Sequence, residues 1–152
     1  MKVEGWPGEI GLGEGELLLG EDEMPSYGQT EPVFNYERLR VYEEARQLRK
    51  RFRALAGLLP KEERYVASAQ LRRSSLSVVL NIVEGSQRTS GKEQARFMEI
   101  AHGSLHESFA CVSEAEEDGL LPPGSTASLR RDVHRLGGML GNLRHYYLRP
   151  RR

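Results

Sequence analysis

The stretch Gln70-Leu71-Arg72-Arg73-Ser74-Ser75-Leu76-Ser77-Val78-Val79-Leu80-Asn81-Ile82-Val83-Glu84-Gly85 decides the fold. Read at 3.6 residues per turn, Leu71, Ser75, Val78 and Ile82 form one stripe, and Leu76, Val79, Leu80 and Val83 form a second. A polar line of Gln70, Ser74, Ser77, Asn81 and Glu84 runs between them. A helix apolar on two sides is expected to be covered on two sides, by its own bundle and by another subunit. The alternative is one broad face buried within a single chain. Asn81 and Glu84 call for buried partners, so their replacement by Ala is expected to cost about 1–3 kcal/mol each. Glu84, in the last turn, meets the negative end of the helix dipole. It therefore requires a donor such as Arg88, Arg72, Arg73 or the free amides opening the next helix.

Three further helices surround this one. Asn35 stands as an N-cap, with Phe34 and Leu39 in the positions of a hydrophobic staple. Val41, Ala45, Leu48, Phe52, Leu55 and Leu59 then alternate at spacings of four and three until Gly57 and Pro60 end the helix. The second helix starts near Glu62–Arg64 and stops at Gly85, read as a left-handed C-cap. Ser90 to Glu93 has capping-box spacing and opens a third helix with the stripe Phe97, Ala101, Ser104, Ser108, Cys111 and Ala115. Asp118-Gly119 and Pro122-Pro123-Gly124 break the chain before a fourth, carrying Leu129, Val133, Leu136, Leu140, Leu143 and Tyr147. The expected fold is all-α, an up-and-down antiparallel four-helix bundle over residues 33–148.

Charge is divided along the chain. Residues 1–32 hold one basic and eight acidic residues, a net of −7, with seven glycines and three prolines. That composition predicts a disordered acidic arm. Residues 33–152 carry a net of +7, ending in a basic tail over 149–152. Cys111 is the single cysteine and excludes an internal disulfide. Leu17-Leu18-Leu19 is too short for a signal core, and the run from Leu76 to Val83 is too short and too polar to cross a bilayer. The expectation is a cytoplasmic protein with no membrane partner.

Catalytic and metal chemistry find no pattern here. Glu99 and His102 have Glu-x-x-His spacing, but no second such pair exists to complete a di-iron bundle site. His102 and His106 share a face without a third ligand and read as solvated surface histidines; Cys111 reads as core. No phosphate-cradling loop or nucleophile elbow occurs, so the chain reads as non-enzymatic, with no cofactor and no metal. Arginine is the remaining signal, because only four of 22 basic residues are lysines and the guanidinium fork suits phosphate. Arg46, Arg49, Lys50 and Arg53 on the first helix, with Arg130, Arg131 and Arg135 on the fourth, are the candidate nucleic-acid contacts.

From Gln70 to Glu107 the chain resembles the four-helix bundle proteins encoded in intervening sequences of bacterial 23S ribosomal RNA genes. It is more distantly similar to the accessory variability proteins of diversity-generating retroelements. Asn81, Glu84 and Gly85 match the Asn-x-x-Glu-Gly pattern, Glu107 matches a recurrent acidic position, and His102 departs from a usually basic one. Arg72, Arg73, Asn81, Glu84, Gly85, Ser104 and Glu107 are read together as a structural polar network. The resemblance implies a ring-shaped homopentamer and, by analogy, binding of structured RNA or a scaffold role beside a nucleic-acid-processing enzyme. The competing reading is a protein–protein module with no nucleic-acid role. An acidic arm tethered to a basic body competes with phosphates for that body. Deleting residues 1–32 is therefore expected to strengthen RNA binding at low salt without changing helicity, as filter binding and circular dichroism would show.

Overall fold

Four α-helices carry the chain: α1 (Arg40–Leu58), α2 (Ala69–Ser86), α3 (Gly91–Glu117) and α4 (Ser125–Leu148). They are seen in a computed structural model that describes residues 34–150. The expected acidic arm, with Arg151 and Arg152 of the basic tail, lies outside the described residues. Among the described residues no β-strand forms. At 1.5 Å per residue the helices run from about 27 Å to about 40 Å. Each packs antiparallel on its neighbours in the order α1, α2, α3, α4, and α4 closes back on α1. No helix of the described residues is long and apolar enough to cross a membrane.

The core forms where the apolar stripes meet. Val41, Ala45, Leu48 and Phe52 of α1 are buried, as are Leu129, Val133, Leu136, Leu140 and Leu143 of α4. On α1 the last buried position is Ala56 rather than Leu55, which is only half-buried. On α3 the inner face turns further than the expected stripe: Met98, Leu105 and Val112 are buried, whereas Phe97 and Cys111 are half-buried at its edge. Burial raises the pKa of the Cys111 thiol, and the neighbouring Glu107 adds to the effect.

Several helix ends differ from the sequence reading. Asn35 does not cap α1; it opens a 3-10 turn, Asn35–Arg38, in which the Glu37 carboxylate accepts the Phe34 amide at 2.9 Å. Phe34 stacks on Tyr36 and stays exposed while Leu39 is buried, so no staple forms. Ser90 does stand at the N-cap of α3, but through its extended backbone and without a side-chain hydrogen bond. Before α2 the chain passes through a 3-10 turn, Lys61–Glu63, and a π-helical turn, Arg64–Ser68. At the other bend, Gly124 takes φ +90° and the Glu116 carboxylate accepts the amides of Gly124 at 2.7 Å and Thr126 at 2.6 Å. Thr126 and Gly124 together hold that carboxyl below the usual range.

Gly85 departs from its expected role. It is not a left-handed cap, since α2 continues through Ser86 and Gly85 keeps a helical φ. Glycine is required there by proximity. A Cβ would stand 2.7 Å from Met98 Cε, 2.8 Å from Phe97 Cβ and 3.4 Å from the Gln94 carbonyl. The methionine end can move, but Phe97 Cβ moves only with the α3 backbone. Gly85→Ala is therefore expected to lower stability by about 1–3 kcal/mol, measured by urea denaturation, despite the better helix propensity of alanine.

Candidate nucleic-acid interface

Helices α2 and α3 meet along a seam of polar contacts rather than leucines. Gln70 donates its amide to the Glu107 carboxylate. One turn on, Ser108 Oγ lies 2.8 Å from Ser74 Oγ and 2.9 Å from the Ser104 carbonyl, to which it can only donate. Ser77 and Ser104 pair through their hydroxyls at 2.9 Å, and Asn81 Nδ2 donates to the Ser77 carbonyl at 2.8 Å and its hydroxyl at 3.0 Å. Ser74 and Ser108 are buried, so their hydroxyls have no water to fall back on. Of the polar line expected on the second helix, Gln70, Ser74 and Ser77 reach α3, while Asn81 bonds within its own helix.

Glu84 is the last position of that line. Its side chain is about half exposed and pairs with Arg88, itself packed over the Phe97 ring at 5.2 Å. The donor lies just past the end of α2, in the link to α3, and the pair is screened by solvent, so the buried role expected for Glu84 does not hold. Arg72 and Arg73 also stand apart from the seam. Arg73 is exposed, while Arg72 reaches back toward α1, with Nε 3.4 Å from Ser68 Oγ.

The basic residues expected to act together are separated by the bundle. Arg135 is tied to Glu44 and bridges α4 to α1. Arg51, absent from the candidate set, makes a parallel bridge to Asp132 and donates to the Ser128 carbonyl at 2.7 Å. Arg46 sits 3.5 Å from Glu43 and over the Tyr42 ring, and Lys50 donates to Gln47 at 3.3 Å. Arg130 covers Phe109 across α3, and Arg131 projects fully into solvent near Asp132. Arg49 and Arg53 alone turn toward α2, where they meet Arg72, Ser75 and Leu76 around one cleft. Among the described residues no carboxylate pairs with Arg49, Arg53 or Arg72. Sequence reading missed Arg72 as a member because it took Arg72 for a seam residue; the signal was its exposed register on the α1 side of α2.

The histidines are not both solvated. His106 is exposed, but His102 is half-buried against Gly137 of α4, and the two rings lie 4.5 Å apart. Burial first, and His106 second, lower the pKa of His102 to about 4. Among the described residues no three metal-ligating side chains converge.

An antiparallel four-helix bundle with a hydroxyl-lined α2–α3 seam and an open arginine cleft on α1–α2 defines a class of small helical proteins. The chain belongs to the 23S rRNA-intervening sequence protein family, whose pattern matches residues 37–142, from the turn before α1 almost to the end of α4. No curated protein matches it.

The seam makes a checkable claim. Ser74→Ala and Ser108→Ala are each expected to cost about 1 kcal/mol, and the double variant less than their sum, because each single change removes the bond the two share while the remaining hydroxyl keeps a carbonyl of its own helix, Leu71 for Ser74 and Ser104 for Ser108. Glu84→Ala is expected to stay within about 1 kcal/mol of the parent in the same denaturation series.

Proposed function

We propose that this protein is a non-enzymatic, cytoplasmic scaffold that assembles into a closed homo-oligomer, a pentameric ring, and binds structured RNA or holds it beside a nucleic-acid-processing enzyme. The observation that carries the reading is the α1–α2 cleft, where Arg49, Arg53 and Arg72 converge with no neutralising carboxylate among the described residues. Arginines that fold against acids stabilise helix packing; arginines held together without them concentrate positive potential for a polyanion. The contacts available are to phosphate, so recognition follows backbone and shape rather than base sequence.

Assembly is supported by the outer side of α2. Val79 is buried within its own bundle and drops out of the expected second stripe. Leu80 remains 54% exposed and Leu76 36% exposed, one turn apart on the same face, with Val83 half-buried beside them. Leu76 also edges the cleft, so joining subunits through this strip sets their basic clefts side by side. The same exposed strip supports a second reading, a protein–protein module in which α2 receives a different helical partner and nucleic acid plays no part.

Arg49→Gln with Arg53→Gln is expected to weaken RNA binding and to flatten the dependence of log K on log salt by about 1–2, while helicity is kept. Leu80→Glu is expected to give helical monomers by light scattering. RNA binding unchanged in the double arginine variant, or absent from the parent chain at low salt, would remove the nucleic-acid reading in favour of the protein partner.

A further inference from the structure

The turn between α1 and α2 carries the most exposed aromatic residue of the described chain. Tyr65 is 84% exposed, at the second position of the π-helical turn Arg64–Ser68. The wider helical turn is less favourable than α-helix, and such turns recur at functional sites. Here it widens the approach to a cleft of about 500 Å3, large enough for a nucleotide. Lys61, Arg64, Tyr65, Ser68 and Arg72 line it together with apolar residues from the end of α1 and the turn after it. Glu62 and Glu63, in the preceding turn, do not.

The cleft has fixed walls. Ser68 is buried and donates to the Ala56 carbonyl at 3.0 Å, and its oxygen accepts from Arg72 Nε at 3.4 Å. The guanidinium thereby stands beside Gly57, where even a Cβ would be at an ordinary 4.0 Å contact from Arg72 Nη2. The Nη groups keep their donors for a ligand. The carbonyl end of α1 adds partial negative charge nearby. Three cations exceed that half-charge. Arg72 also borders the Arg49–Arg53 cleft, so the cations of the two clefts follow one another along the α1–α2 groove.

We propose that this end of the bundle binds an unpaired nucleotide of RNA, its base stacked on Tyr65 and its phosphates on Lys61, Arg64 and Arg72. The proposal rests on the RNA-binding reading and narrows it: the strand entering the groove is single, because a base within a duplex has no free face for Tyr65. An exposed tyrosine flanked by arginines and an open track of cations is the combination that binds single strands without sequence preference.

The test compares a labelled single-stranded RNA of about 12 nucleotides with the same strand annealed to its complement, by fluorescence anisotropy. The parent chain is expected to prefer the single strand. Tyr65→Ala is expected to lose roughly ten-fold or more of that affinity with the salt slope unchanged, and Tyr65→Phe to retain it. Arg72→Gln is expected to weaken binding and reduce the slope by about 0.7. Tyr65 is solvent-exposed, so its removal does not threaten the fold, and light scattering checks that assembly is intact. If Tyr65→Ala binds the single strand as the parent does while Arg72→Gln is weakened, the stacking site is wrong and the RNA reading stands. Equal affinity for strand and duplex, or a changed oligomeric state in Tyr65→Ala, overturns the site as well. If the parent binds neither RNA, the RNA reading itself falls.

Discussion

The close approach of α2 to α3 is the constraint on which the rest depends. Two helices packed through leucines stand about 8–10 Å apart, and small contact residues favour the near end of that range. Here serine faces serine at 74 and 108 and at 77 and 104, and Gly85 meets Met98 and Phe97 where no side chain fits. Hydroxyls at this distance bond across the seam, and removing one partner costs the other its bond between the helices. The seam therefore fixes the register of α2 on α3 more sharply than apolar packing, which tolerates sliding. With that register set, the α3–α4 bend is held by Glu116 across Gly124 and Thr126.

Because the seam takes the polar side of α2, the remaining sides of that helix are assigned by geometry. One faces the core through Leu71, Val78, Val79 and Ile82. Another leaves Leu76 and Leu80 uncovered, beside the groove that α2 forms with α1. The proposed surfaces for assembly and for binding are in this way neighbours on one helix.

The arginines divide by what α1 meets on each side. Toward α4, Glu44 and Asp132 absorb Arg135 and Arg51 in ion pairs spanning the two helices. Toward α2, among the described residues, no acid pairs with Arg49, Arg53 or Arg72. Net charge alone does not distinguish these two edges. Partially exposed ion pairs of the α4 kind contribute little stability each, whereas unneutralised cations in a groove act at a distance on any polyanion.

The helices, their order and most of the core were determined by the sequence itself, because a period of 3.6 in apolar residues is a local property that one strand of text displays. Val41 to Phe52 and Leu129 to Leu143 are buried where that period places them. The family was also readable there, in the residues from Gln70 to Glu107, and its pattern extends over residues 37–142. What only the tertiary structure decided concerns pairs of helices. Gly85 was read as a cap because a glycine near a helix end usually is one; the approach of Phe97, twelve residues away, is what requires it. Glu84 has Arg88, one of the donors its sequence position calls for, but the pair stands half exposed rather than buried. Arg49 and Arg135 looked equivalent, and a neighbouring helix distinguished them. Periodicity tells which face of a helix turns inward, but partners across a helix interface are set by register and azimuth, which exist only once the helices have packed.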